Sequence, residues 1–203
     1  MFGKSRLKRK IDDLEELGYF KYSSFDDINE LKNEMFDSIR RYKEIGTIYF
    51  ENSYEDPFKE FISKDHRFIL CDHEELIETH GEFVLKIIAY SFEKMNLPFE
   101  WKSITKDFDE KKNLHFHKFT INSEIYILYQ TNWSEYAIDF AIIVNDQLEK
   151  LNSQERLYLI ATGNDGDFIF LDRKLKTYFD EHIELRELFT PMDKDEWKEK
   201  YVL

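Results

Sequence analysis

Two histidines, His115 and His117, are the residues whose type and spacing come nearest to a chemical site. They stand two residues apart in a segment that predicts a β-strand, and alternate residues of a strand point to the same face of the sheet. Two imidazoles on one face could bind a divalent metal ion or move a proton if an acidic residue joined them. Because the sequence names no third ligand, we assign no metal ion and no cofactor to this pair.

Five acidic residues in two short segments are the candidates for contact with a partner. The alternative interpretation of Glu74, Glu75 and Glu78 is that they are acids at a helix N-terminus, where they would complement the helix dipole. Asp165 and Asp167 lie in a turn with two glycines between two predicted strands. The turn lacks the ligand spacing of a calcium loop and the Gly-Lys-Ser/Thr of a phosphate-binding loop. We therefore expect any function of these carboxylates to be contact with another protein.

The charge of the chain favours a basic partner. The formal net charge is −13, and residues 4–10 contribute five positive charges, which leaves −18 for the rest of the chain. A field of that sign repels phosphate backbones, so we do not expect a nucleic acid as partner. A basic protein fits better, because opposite charge speeds encounter and the 19 Phe and 12 Tyr can supply anchors.

Familiar catalytic and targeting signatures are missing from the sequence. It contains neither a Gly-x-Ser-x-Gly elbow nor a dinucleotide-binding glycine fingerprint. Its single cysteine, Cys71, ends an apolar run that predicts burial, and one cysteine fits a reducing compartment without an internal disulfide. The longest apolar candidate, residues 137–144, is interrupted by Asp139 and is far shorter than the roughly 20 residues that cross a bilayer. We expect a cytoplasmic protein with no membrane segment.

Hydrophobic periodicity predicts a mixture of helices and strands. The predicted helices are residues 6–17, 24–46, 57–62, 82–95, 134–151 (capped by Ser134), 173–183 and 193–200. The predicted strands are residues 47–50, 67–71, 99–107, 114–130 (a hairpin that turns at Asn122-Ser123), 157–161 and 168–171. This order favours an α+β fold in which helices pack on one mainly antiparallel sheet. We expect a single domain over residues 1–203, with a division near residues 97–100 as the alternative.

These features together favour a non-catalytic acidic binding protein, such as an immunity or inhibitor protein that neutralises a basic toxin or nuclease. This is an analogy of composition, because no family motif supports it. One alternative is a metal-dependent hydrolase that uses His115, His117 and a carboxylate from elsewhere in the chain. Another is a structural or oligomer-forming component whose aromatic residues are buried between subunits. The hydrolase requires a pocket where histidines and acids converge, and the oligomer requires a stable assembly.

Overall fold

Seven α-helices and six strands form the part of the chain that the structure, a computed structural model, describes. The described residues are 2–23, 28–42, 65–71, 73–79, 81–162, 165–182 and 191–201. The helices are α1 (Phe2–Glu16), α2 (Ile28–Tyr42), α3 (His73–Glu78), α4 (Glu82–Lys94), α5 (Trp133–Lys150), α6 (Arg173–Glu181) and α7 (Lys194–Tyr201), with a 3₁₀ helix at Tyr19–Tyr22. The strands are β1 (Phe68–Cys71), β2 (Trp101–Asp109), β3 (Leu114–Ile121), β4 (Glu124–Tyr129), β5 (Arg156–Thr162) and β6 (Asp165–Leu171).

The predicted α+β class is confirmed, and every pairing between these strands is antiparallel. The strands form two three-stranded sheets, in the orders β1-β6-β5 and β2-β3-β4, instead of the one sheet expected. The second sheet is a local meander whose strands follow each other in sequence. The first sheet pairs β1 with β6, about half the length of the chain away, and periodicity carries no information on such a distant partner.

The first sheet separates two hydrophobic cores because its side chains alternate between its faces. On β6, Phe168 and Phe170 enter the core that contains α4 and α5, whereas Ile169 and Leu171 enter the core that contains α1, α2 and α6. All four side chains are fully buried. A strand that is buried on both faces reads as a continuous apolar run, as this one does in the sequence.

The second sheet closes the other side of the α4–α5 core. Phe119 and Leu128 send their side chains into this core together with residues of the first sheet. Phe92 on α4 packs against Phe99, just before β2, with ring centroids 4.5 Å apart. The described elements therefore stack in four layers, in the order helices, sheet, helices, sheet.

Short-range signals in the sequence predicted the ends of several helices and strands correctly. Helix α1 is followed by Gly18 in the left-handed conformation (φ 81°). The hairpin between β3 and β4 turns at Asn122 and Ser123, with φ of 48° and 71°, as the two-residue turn requires. The predicted elements at residues 47–50 and 57–62 lie outside the described residues.

The predicted cap of α5 is wrong by two residues. Asn132 is the N-cap, and its side chain accepts a hydrogen bond from Glu135 N at 3.0 Å. Ser134, the predicted cap, instead accepts a hydrogen bond from Trp197 Nε1 at 2.7 Å. A buried indole N–H needs an acceptor, but Trp197 lies 63 residues away in sequence, so the local pattern could not reveal this role.

Candidate functional site

A groove of about 420 Å³ lies between α5, β5 and the segment that leads into α7. We call it the acidic groove. It is lined by Ala141, Ile142, Asn145, Asp146, Glu149, Arg156, Leu157, Tyr158, Leu159, Asp193, Lys194 and Asp195. Four of these residues are acidic and two are basic, so the lining has the same negative sign as the whole chain.

The side chain of Asn145 links α5 to the edge of β5 through two hydrogen bonds. Its Nδ2 donates to Leu157 O at 2.9 Å, and its Oδ1 accepts from Leu157 N at 2.7 Å. Because β5 is an edge strand, these bonds satisfy backbone groups that could otherwise pair with a new strand. The floor of the groove is held in place and is not open to strand addition at this residue.

The opposite wall is held by Met192 and by the start of α7. Leu159 N donates to Met192 O at 2.9 Å, and Met192 N donates to Leu159 O at 2.7 Å. Asp193 Oδ1 then accepts from Glu196 N, and Glu196 Oε2 accepts from Asp193 N, both at 2.9 Å. This capping box fixes the first turn of α7 and with it the position of Asp195 on the rim.

Some charges of the lining already have partners within the chain. Asp146 forms an ion pair with Lys150 at 2.7 Å. Arg156 donates to two backbone carbonyls at 2.7 and 2.8 Å, which restrains its guanidinium. Glu149 and Asp195 are exposed, one on each side of the groove. These two carboxylates are the groove residues best placed to meet a partner's cation.

The surroundings of Tyr158 indicate a negative electrostatic potential at the wall of the groove. Its pKa is raised above the ordinary value, first by burial and next by the carboxylate of Asp193. Asp180 and Glu196 add to the rise, while Arg156 opposes it. Negative potential makes a phenolate harder to form, so the carboxylates outweigh the arginine here.

The groove also has an apolar floor. Ile142 is 40% exposed beside the buried side chains of Leu157 and Leu159. A large aliphatic side chain exposed in a groove that charged residues also line resembles a protein–protein interface, where the core is apolar and the rim is polar. The arrangement could hold an apolar side chain of a partner while the rim contacts its cations.

Of the five acids predicted from the sequence, the two whose side chains the structure describes, Glu78 and Asp167, are not among the residues that line the acidic groove. Glu78 is exposed at the end of α3. Glu74 and Glu75 lie on the same helix, and Asp165 begins β6, but the side chains of these three residues lie outside the described part of the structure. Their role in contact with a partner remains a prediction.

Asp167 is not the surface acid that the sequence predicted. It is 3% exposed, and its Oδ1 accepts a hydrogen bond from Cys71 N at 3.1 Å. Strand β6 begins at Asp165, so the turn is shorter than expected and Asp167 lies inside the strand. Its carboxylate therefore links β6 to β1. Cys71 is buried, as its apolar surroundings predicted.

Sequence reasoning missed Glu149 and Asp195. A local signal was present for one wall, because Asp193 followed by Glu196 three residues later is the signature of a capping box. That signal places the start of a helix but not its neighbour in space. Nothing in the sequence shows that this helix start faces α5 across β5.

The two candidate histidines both lie on β3, but their surroundings differ. His115 is exposed, and its ring meets Phe108 edge-on with centroids 5.0 Å apart. His117 is fully buried, and its Nε2 lies 2.9 Å from Ser103 Oγ. Within the described residues, no group of three His, Cys, Asp or Glu side chains is arranged to hold a metal ion.

His117 belongs to a polar cluster at the N-terminus of α4. Glu82 lies 3.8 Å from His117 Nε2 and 3.1 Å from Lys106 Nζ. Burial tends to raise the pKa of Glu82, but Lys106 and His117 outweigh burial and hold this pKa below its ordinary value. Ser103 and Glu82 approach the same imidazole nitrogen, whereas a catalytic relay places hydroxyl and carboxylate on opposite nitrogens. The geometry fits a link between α4 and the second sheet.

A second groove, of about 480 Å³, lies between α4 and the start of β2. Its lining includes the rings of Tyr90, Phe99 and Trp101 and one charge of each sign, on Lys86 and Glu93. These charges balance, so this groove does not select a partner by charge. The acidic groove is the better match to the electrostatics of the chain.

Comparison with known proteins gives no assignment, since no protein-family model, curated protein or solved structure matches the chain. Among the helices that the structure describes, none is long and apolar enough to cross a lipid bilayer. The functional argument therefore rests on the geometry and charge of the chain itself.

Proposed function

We propose that this chain is a non-catalytic binding protein that captures a basic protein in the acidic groove. The observation that carries the proposal is that one groove is lined by the exposed Ile142 together with the exposed carboxylates of Glu149 on α5 and Asp195 on α7. An apolar contact in the centre of an interface supplies most of the affinity. Opposite charges at the rim orient the partner and speed its approach.

The charge of the whole chain supports the same proposal. A net charge of −13 attracts a basic protein and discourages nucleic acids and anionic surfaces. Attraction between exposed charges fades beyond about 8 Å at physiological ionic strength. The net charge of the chain therefore affects how fast the partner approaches, and the carboxylates of the groove affect the contact once it has formed.

In its more specific form, the proposal is an immunity or inhibitor protein of the cytoplasm. Toxins that act on nucleic acids carry basic surfaces that neutralise phosphates. A rigid acidic groove could cover such a surface and block access of the nucleic acid. The support for this form is the match of charge, together with a single buried cysteine that suits a reducing compartment.

The test compares two charge-reversed variants with the wild-type chain. The groove variant combines Glu149→Lys with Asp195→Lys, and the control combines Glu16→Lys with Glu30→Lys on α1 and α2. All four residues are exposed, and both variants change the net charge equally. Immobilised wild type and control should retain the same basic protein from host lysate and release it at high salt. The groove variant should bind that protein at least about tenfold more weakly by calorimetry.

A third variant, Ile142→Asp, tests the apolar floor without adding positive charge. It should weaken binding of the same protein while leaving the salt dependence of the remaining affinity close to that of the wild type. If groove variant and control bind the partner equally, the acidic groove is not the site. If the wild-type chain retains no basic protein at low salt, the proposed function is wrong.

A further inference from the structure

The second sheet has one packed face and one exposed face. Its packed face sends Phe119, Ile121 and Leu128 into the core. Because side chains alternate along a strand, the residues between them point away from the core. On this outer sheet face, Ile125 is 60% exposed and Ile127 is 45% exposed. Sheets with one solvated face normally place polar residues there, so adjacent exposed isoleucines indicate a contact surface.

Strand register divides the outer sheet face into three rows that cross β2, β3 and β4. The first row is Lys102, Thr120 and Ile125; the middle row is Thr105, Lys118 and Ile127; the third row is Asp107, Phe116 and Tyr129. At the β2 end, the first row is basic and the third row is acidic. At the β4 end, the first row is apolar and the third row is aromatic.

The second sheet is neutral in an otherwise acidic chain. Residues 99–130 contain five lysines and five acidic residues, so the full charge of −13 lies elsewhere. Two copies of this chain repel each other over most of their surfaces. A second copy that approaches this face, which carries charges of both signs beside its isoleucines, meets less of that repulsion. A basic partner is instead drawn to the acidic surface. The charge distribution therefore favours a second copy as the occupant of this face.

The backbone at the free edge of β2 is poorly suited to pair with another strand. The register shifts at a bulge between Ser103 and Thr105. Farther along, Asp107 Oδ1 accepts a hydrogen bond from Phe108 N at 2.8 Å. Bulges and local caps of backbone groups hinder pairing with a new strand. Contact through the face of the sheet is therefore favoured over contact through the β2 edge.

We propose that two copies of this chain pack their outer sheet faces about a two-fold axis that crosses the strands at the middle row. This rotation reverses the strand direction and lays the first row of one copy on the third row of the other. Lys102 then meets Asp107 of the second copy, and Ile125 meets its Tyr129. Ile127 meets its own equivalent at the axis. The charges at the β2 end and the apolar groups at the β4 end are thus matched in a self-complementary way, with the two sheets about 10 Å apart. The half-buried Lys118 of the middle row also meets its own equivalent, so its ammonium group must extend to the rim of the interface while its stem packs between the sheets.

The first test uses two isoleucines of similar exposure. Sedimentation equilibrium from about 1 to about 100 µM, the range that detects a micromolar dimer, should show a monomer–dimer equilibrium for the wild-type chain. Ile127→Asp should weaken dimerisation by at least about tenfold. Ile142→Asp, at a residue 40% exposed on α5, should dimerise like the wild type. Circular dichroism and urea unfolding establish that each variant is folded.

A charge exchange then tests the orientation of the two copies. Lys102→Asp and Asp107→Lys should each weaken the dimer by about five- to tenfold, because each breaks two symmetric pairs. The double variant restores both pairs and should recover the wild-type association. A wild-type chain that stays monomeric at about 100 µM would overturn the proposal, as would a dimer insensitive to Ile127→Asp. The groove variant should dimerise normally, which separates this result from the proposed function.

Discussion

His66, just before β1, is the residue whose environment most clearly sets a pH dependence of folding. It is 3% exposed, and its pKa is lowered from 6.5 to about 4, first by burial and then by the charge of Lys94. The folded chain therefore keeps His66 neutral at pH values where the unfolded chain protonates it. This residue's contribution to stability is complete above the unfolded pKa and is lost as the pH falls toward the folded pKa.

We expect His66 to reduce the free energy of unfolding by about 2–3 kcal/mol between pH 7 and about pH 4, since each pH unit in that window corresponds to about 1.4 kcal/mol. Urea unfolding across this range measures the change. The variant His66→Gln should have a shallower pH dependence, whatever its stability at pH 7. The control His115→Gln removes an exposed histidine and should keep the wild-type slope. Equal slopes for His66→Gln and the wild type would show that His66 is not the cause.

At the scale of the element, the turn between β3 and β4 combines two residues in the left-handed region. Ser123 has φ of 71°, which costs energy for a residue with a Cβ. Asn122 has φ of 48° and is also anchored by its side chain. Its Oδ1 accepts from Glu100 N at 2.9 Å, and its Nδ2 donates to Pro98 O at 3.0 Å and Gln147 Oε1 at 2.9 Å.

Glycine should therefore have opposite effects at these two adjacent positions. Ser123→Gly removes strain and is expected to stabilise the chain by about 0.5–1 kcal/mol, even after the entropy that glycine adds to the unfolded chain. Asn122→Gly removes strain but also three hydrogen bonds, and should destabilise the chain by about 1–3 kcal/mol. Urea unfolding of both variants measures the difference. Destabilisation by Ser123→Gly would contradict the assignment of strain to this turn.

At the scale of the whole molecule, Arg67 ties the N-terminal layer to the first sheet. Its guanidinium donates twice to Glu155, at 2.7 and 3.2 Å. It also donates to the backbone oxygens of Tyr19 at 2.6 Å, Phe170 at 2.8 Å and Gly18 at 3.3 Å. These bonds occupy all five N–H groups of the arginine, which is completely buried. The pKa of Glu155 is raised by burial but more strongly lowered by Arg67 and Lys21, so its carboxylate stays charged.

Removal of this arginine should therefore destabilise the entire fold. Arg67→Met removes the buried cation beside Glu155 and leaves this carboxylate with the half-exposed Lys21 and a hydrogen bond from Tyr22 Oη at 3.1 Å. We expect a loss of about 3–5 kcal/mol in urea unfolding. The matched control is Lys32→Met, which breaks ion pairs with the more exposed Asp12 and Glu15 and should cost less than about 1 kcal/mol. Similar losses for the two variants would mean that the buried network does not hold the layers together.

The sequence by itself determined the parts of this protein that depend on local physics. The periodicity of α4 and α5, Gly18 after α1 and the Asn122-Ser123 turn follow from the preferences of residues close in the chain. Composition alone set the charge of −13. The α+β class followed from the order of these elements, because it requires their types and not their neighbours in space.

Only the tertiary structure decided which surfaces these elements build. It placed Glu149 on α5 opposite Asp195 on α7, buried Asp167 in β6 and separated His115 from the surroundings of His117. It also divided the strands into two sheets and left one face of the second sheet exposed. Each outcome depends on which apolar faces pack together. The packing that forms is the one that minimises the free energy of the whole chain. A local pattern shows that an element has an apolar face, but it does not show which other apolar face packs against it.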